Sequence, residues 1–194
     1  MIRNRSNLEI RALRAEDVSE IKRIEIESSL APWSPDDYLE EAGRKDSLSF
    51  TAKIEGIVAG FIVARLITTQ NYGPALSDEF NLSNELKSSV KNDINTGGDN
   101  NSPIYDFCEI EIYNLCVAKD HRKRKIARNL LENVIEAARC DEKHVWLEVR
   151  KSNSAAISFY LSMNFVQRGI RKNFYRDPIE DALIMELRTN RELP

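Results

Sequence analysis

A chain of 194 residues with 42% hydrophobic content is long enough for one proper core and is expected to form a single domain. A net charge of −3 and a pI near 5.6 argue against general nucleic-acid binding, and no apolar run reaches the roughly 18 residues of a membrane span. Three cysteines (Cys108, Cys116, Cys140) without zinc-like spacing, only two histidines, and no apolar signal core in the first seven residues read as a reduced, cytoplasmic protein without a metal.

Residues 8 to 13 alternate as a first strand, and Val18, Ile21 and Ile24 give one face of a helix. A second helix opens with Ser34 as N-cap and Pro35 at its first position, and Gly43 stops it. Residues 48 to 54 and 57 to 67 read as a hairpin turned at Glu55–Gly56. Residues 69 to 105 then turn polar, rich in Asn, Ser, Gly and Pro, with a weak helical spacing at Leu82, Leu86 and Val90. Connections this long are functional or disordered as a rule, and this one reads as a tolerated surface insertion.

Order returns at residues 107 to 117. Ile110 and Ile112 keep one parity, Leu115 and Val117 the other, which predicts a bulge near Tyr113 and Asn114. A bulge frees backbone N–H and C=O groups to hold a ligand. The basic run His121-Arg122-Lys123-Arg124-Lys125 follows, then a helix carried by Ile126, Leu130 and Val134 and by Leu131, Ile135 and Ala138. Strand, basic loop and helix N-terminus make an anion site; a solvated charge run or a nucleic-acid patch gives the same pattern.

Residues 145 to 165 carry the most information. In the next strand, Val145, Leu147 and Val149 share one face and Trp146, Glu148 and Arg150 the other. A carboxylate inside a covered strand is half-buried, and desolvation raising its pKa suits a general base. Tyr160 sits on the helical stripe Ala156, Tyr160, Met163, so an acid and a base are expected to face one cleft. Two more strands, at 165 to 175 and 182 to 188, flank the turn Asp177–Pro178. The order is β-α-α-β-β-(insertion)-β-α-β-α-β-β, a mixed α/β sheet.

These residues resemble the GNAT acetyltransferase superfamily, and within it the ribosomal-protein-alanine N-acetyltransferases. Arg122-Lys123-Arg124-Lys125-Ile126-Ala127 is similar to the acetyl-CoA motif Arg/Gln-x-x-Gly-x-Gly/Ala. The more specific match is Trp-Leu-Glu-Val-Arg-x-x-Asn-x-x-Ala-Ile-x-x-Tyr at 146 to 160, with Pro32-Trp33-Ser34, residues 171 to 175 and residues 180 to 185 in support. The resemblance implies a GNAT fold over residues 1 to 194: a mixed, mostly antiparallel sheet with helices on both faces and a central bulged strand splayed for acetyl-CoA. It implies acetyl transfer from acetyl-CoA to the N-terminal α-amine of a protein, a ribosomal protein starting with alanine, without nucleic acid, membrane or metal. Glu148 would be the general base and Tyr160 the general acid. The segment Leu115, Cys116 and Val117 would hold the pantetheine arm and thioester through the Leu115 and Val117 amides. Arg122, Lys123, Arg124, Lys125, Ile126, Ala127 and Arg128 would hold the pyrophosphate through their amides, and Asn153 would contact the arm. Lys125 departs from the family glycine, as Asn164 does before Phe165.

Plainer roles remain open at this stage. Tyr160 can be a core aromatic, Glu148 a partner of Arg150, Asn153 or Ser152 a helix N-cap, Cys116 a small buried hydrophobe, and His121 and His144 surface residues. Acetylation of a small-molecule amine, and a non-catalytic acyl-CoA-binding module marked by Lys125, are the competing functions.

Overall fold

The computed structural model describes residues 8–28, 33–67 and 105–190, the side chains of 105, 106 and 190 excepted. The polar insertion, with its Leu82, Leu86 and Val90 spacing, lies outside the described residues. The elements are β1 (Leu8–Ala12), α1 (Val18–Ser28), α2 (Pro35–Gly43), β2 (Phe50–Ile54), β3 (Ile57–Ile67), β4 (Tyr105–Val117), α3 (Ile126–Ala137), β5 (Cys140–Arg150), α4 (Ser154–Ser162), β6 (Val166–Arg176) and β7 (Ile179–Asn190). Seven strands form one sheet in the order β1-β2-β3-β4-β5-β7-β6. Neighbours pair antiparallel except β4 and β5, which are parallel and joined through α3.

Local chemistry explains the connections. The β2–β3 hairpin turns on Glu55 (φ 53°) and Gly56 (φ 83°), two left-handed residues that match the twist of the flanking strands. Ser34 caps α2: its side chain accepts the Asp37 N–H, and Asp37 returns the bond to the Ser34 N–H. Asn164 takes the left-handed conformation (φ 66°) after α4, as an Asn at a helix end can. The strand β5 starts at Cys140, earlier than its apolar pattern shows, because residues 140 to 144 are polar apart from the cysteine. Ladders to β4 and β7 on either side extend it.

Each face of the sheet carries its own core. Ile126, Leu130, Leu131 and Val134 of α3, with Tyr160 and Met163, cover Ile110, Val145, Leu147, Val149 and Met185. On the other face Val18, Ile21 and Ile24 of α1 and Tyr38 of α2 cover Val58, Phe61, Val63 and Cys116. Three fully buried carboxylates tie α1, α2 and the turn before α1 into place. Asp17 pairs with Arg11 (2.8 Å) and Lys53 (2.9 Å), Glu25 with Lys22 (2.6 Å), and Glu41 with Arg65 (2.7 Å). Buried charge is tolerated only with such partners.

Two expectations are corrected here. The cysteines are not three free thiols: Cys108 and Cys140, near the starts of β4 and β5, are disulfide-bonded, and Cys116 alone is free and buried. His144 is not a surface residue. It is 4% exposed, with Nε2 3.0 Å from Glu142 and Nδ1 3.4 Å from Glu186. The residue looks solvent-bound in sequence because its neighbours are charged, and it is those charges that cover it.

Gly60 of β3 lies where β3, β4 and α3 meet. A Cβ there would come 2.8 Å from the Cys116 carbonyl oxygen and 3.2 Å from Ile126 Cγ2. Gly43, at the end of α2, has nothing within 4 Å. Gly60→Ala is therefore expected to destabilise by about 1–3 kcal/mol, the usual cost of overpacking, whereas Gly43→Ala should be neutral or stabilising by up to about 1 kcal/mol. Chemical denaturation of the two variants checks the contrast.

Candidate active site

The β4–β5 ladder ends at Ile112 and Leu147, although β4 runs on to Val117 and β5 to Arg150. The cause is the bulge expected near Tyr113. On the β3 side Asn114 pairs with Val63 and Ile112 with Ala64, so Tyr113 is the extra residue. Beyond it the parallel strands diverge and leave a slot in the sheet. Groups on a strand point alternately to its two sides. The Ala118 N–H bonds back to Ala59 on β3, so the backbone groups of Val117 and Leu115 face the slot. Arg122 Nε reaches the Val117 carbonyl at 3.1 Å. The Cys116 backbone has the opposite parity, and its thiol, pushed up in pKa by burial, belongs to the α1 core.

A network of buried polar groups holds the bulge. Asn114 Nδ2 donates to the Tyr38 hydroxyl (3.3 Å), which donates to Glu25 (2.6 Å). Burial and the Glu25 carboxylate together raise the Tyr38 pKa and keep it a donor. Glu25 also accepts the Trp33 N–H (3.3 Å), and Lys22 donates to the Trp33 carbonyl. Trp33 and Tyr113 then stand 6.0 Å apart, centroid to centroid. With Asp37, Glu40 and Arg65 they line an open cavity of about 330 Å³ beside the bulge.

Glu148 is half-buried on the same side of the sheet as α1 and α2, since Leu147 and Val149 face α3 and α4. Its partner is Arg171 of β6 (2.8 Å). Arg150, the neighbour that the strand pattern offered, pairs instead with Glu180 (3.1 Å) and lies over the Tyr175 ring (4.1 Å). The Tyr175 hydroxyl donates to the Glu148 carbonyl (3.3 Å). Tyr160 belongs to the opposite face, 7% exposed, against Phe159 and Phe165. Burial raises its pKa, with Tyr175 and Cys116 close enough to add to the shift. The two expected proton carriers therefore do not share one face. Tyr175 is near both: its hydroxyl donates to the Glu148 carbonyl, and it lies close enough to Tyr160 to raise that pKa.

The basic loop has the backbone features of an anion site. Lys123 (φ 61°) and Lys125 (φ 63°) are both left-handed, so Lys125 keeps the conformation for which glycine is favoured while its side chain stands exposed. Lys123 and Arg124 are exposed beside it. Asn129 makes the first helical bond, to the Lys125 carbonyl (3.0 Å). The amides of Ile126, Ala127 and Arg128 precede it and point out of the helix N-terminus. The Arg122 amide does not join them: it is taken by the Lys119 carbonyl (3.3 Å), and the Arg122 side chain also reaches Ser28 (3.2 Å). Asn153 is the N-cap of α4, its Oδ1 accepting the Ala156 N–H (3.1 Å). Sequence reasoning gave no role to Arg171, Tyr175, Tyr38 or the Trp33–Tyr113 cavity. Only the motif 171 to 175 hinted at the first two, because contacts between β5 and β6 leave no periodic trace.

The sequence model described as acetyltransferase (GNAT) family matches residues 18–165. The ribosomal protein bS18-alanine N-acetyltransferase of Escherichia coli strain K12 is 42% identical over 82 residues, covering 41% of this chain and 55% of that protein. The chain thus spans about half the length of such curated relatives. The crystal structure of the ribosomal-protein-S18-alanine N-acetyltransferase from Escherichia coli superposes with a TM-score of 0.65 at 24% identity, over 97% of this chain and 99% of that one. Arabidopsis thaliana NAA60 in complex with acetyl-CoA gives 0.68 at 19% identity, over 93% and 99%. At these identities the two superpositions speak for the fold, and the fold agrees with the sequence match. With this fold and a family match over residues 18–165, the chain belongs to the acetyltransferase (GNAT) family.

Proposed function

We propose that this protein transfers an acetyl group from acetyl-CoA to the N-terminal α-amine of a protein, by direct attack and without a covalent enzyme intermediate. The observation that carries this reading is the slot between β4 and β5, with a carboxylate on one face of the sheet and a buried phenol on the other. In this reading the exposed Lys123, Arg124 and Lys125 and the amides of Ile126, Ala127 and Arg128 would hold the pyrophosphate, and the amides of Leu115 and Val117 the arm and the thioester carbonyl. Glu148 takes the proton released by the amine, through water, and Tyr160 returns one to the departing sulfur. Hydrogen bonds aimed at the developing oxyanion and in-line binding of both reactants supply the rest of the acceleration. Residue similarity to the bS18-alanine enzymes supports a protein N-terminus with a small first residue, and a ribosomal protein as the natural acceptor in the cytoplasm.

Acceptor chemistry points the same way. An α-amine titrates near 7.7–8.0 and a lysine near 10.4, so neutralising the lysine at pH 7 costs about 3.5 kcal/mol more. A peptide with a free N-terminal alanine is expected to be acetylated at its α-amine, and the same peptide with a blocked N-terminus and an internal lysine to be a poor substrate. Mass spectrometry of the products decides between them. Preferential modification of lysine or of small amines would overturn the acceptor assignment. In the same assay Glu148→Gln and Tyr160→Phe should each lower kcat by about 10²–10⁴-fold, the usual worth of a general base or acid, with acetyl-CoA binding nearly unchanged.

Lys125 gives an independent prediction. Because its backbone already has the glycine-like conformation and its side chain points outward, Lys125→Gly should change CoA affinity by less than about tenfold, roughly 1.4 kcal/mol. Calorimetry with CoA measures it, and a wild-type protein that binds no CoA would remove the acetyltransferase reading.

A further inference from the structure

We propose that Arg171 is the positioning residue of this site: it fixes the direction of the Glu148 carboxylate without itself touching either reactant. The inference rests on the reading of Glu148 as the base. A carboxylate at the end of a glutamate side chain turns about a soft terminal torsion, and among the described residues no backbone N–H donates to the Glu148 carboxylate. Arg171 Nη1 holds Oε1 at 2.8 Å, while Oε2 has no partner among the described residues. One oxygen is thereby anchored and the other left to accept a proton.

The anchor is itself held. The Arg171 guanidinium lies over the Phe174 ring, 4.6 Å from its centroid, a stacking geometry that a planar cation favours. The strand carrying it shifts register between Arg171 and Tyr175. That irregular stretch is pinned to β7 through Asp181, which accepts from Lys172 (2.8 Å) and from the backbone N–H of Asn173 (3.1 Å). Asn173 is left-handed (φ 52°), which turns the chain so that Phe174 backs the guanidinium. An ordinary exposed ion pair has no such support and contributes little to stability. Here the restraint runs from Asp181 through the β6–β7 hairpin to the carboxylate, and its effect falls on direction.

The test is a double-mutant cycle on kcat with the alanine-terminated peptide. Arg171→Gln should lower kcat about tenfold to a hundredfold, in line with the sensitivity of catalysis to small misplacements. KM for acetyl-CoA should be unchanged and the melting temperature should move by no more than a few degrees. In a Glu148→Gln background the same change should have no further effect, because residues acting as a unit are non-additive. Added guanidinium ion should restore part of the activity of Arg171→Ala, which a structural role would not predict. If Arg171→Gln keeps its kcat while Glu148→Gln loses it, or if the two losses multiply, the positioning role is wrong and the base assignment stands. If only the KM for the peptide rises, Arg171 binds acceptor and the proposal also fails. If Glu148→Gln keeps full kcat, the base assignment falls and this proposal with it.

Discussion

The molecule is organised around one interrupted ladder. Parallel strands β4 and β5 pair as far as Ile112 and Leu147 and then part at the Tyr113 bulge. Unpaired backbone groups inside a protein carry a large penalty unless something answers them. Around this slot the answers are specific side chains: Arg122 on the Val117 carbonyl, Tyr175 on the Glu148 carbonyl, and the Asn114–Tyr38–Glu25 relay behind the bulge. What remains unanswered faces the slot, where a ligand can supply the missing partner.

The two faces of the sheet solve different problems. The face under α3 and α4 is almost wholly apolar, which suits elements that need only be held against the sheet. The face under α1 and α2 mixes an apolar patch with the buried carboxylates Asp17, Glu25 and Glu41. Charged pairs of this kind add little net stability over apolar packing but penalise any arrangement that separates them. They therefore fix where α2 and Trp33 sit relative to the bulge, and with them the walls of the 330 Å³ cavity.

Much of this was legible in the sequence where a single element carries its own pattern. The phase switch across Tyr113 and Asn114, the capping of α2 by Ser34 and the stripe of α3 are local, so periodicity and turn chemistry reveal them. The cradle at Lys125 was legible as charge at a helix start, though its left-handed backbone was not. What escaped was set by pairing between distant segments. The strand pattern offers Glu148 its neighbour Arg150 as one partner, but sheet order brings β6 close enough for Arg171 to take it. His144 and the start of β5 looked exposed because polar residues bury one another there. Cys108 and Cys140 meet only because β4 and β5 are adjacent.

The placement of Glu148 and Tyr160 on opposite faces has a kinetic meaning. In the proposed reaction the sheet is a partition: the start of α3 and the buried Tyr160 lie on one side, the Trp33–Tyr113 cavity and Glu148 on the other. With acetyl-CoA on the first side and the amine on the second, as proposed, neither reactant would have to pass the other. Such a layout favours a ternary complex assembled in either order and dismantled in either order. The traffic on each side is then governed by its own walls: cationic loop and dipole on one, aromatic rings and carboxylates on the other.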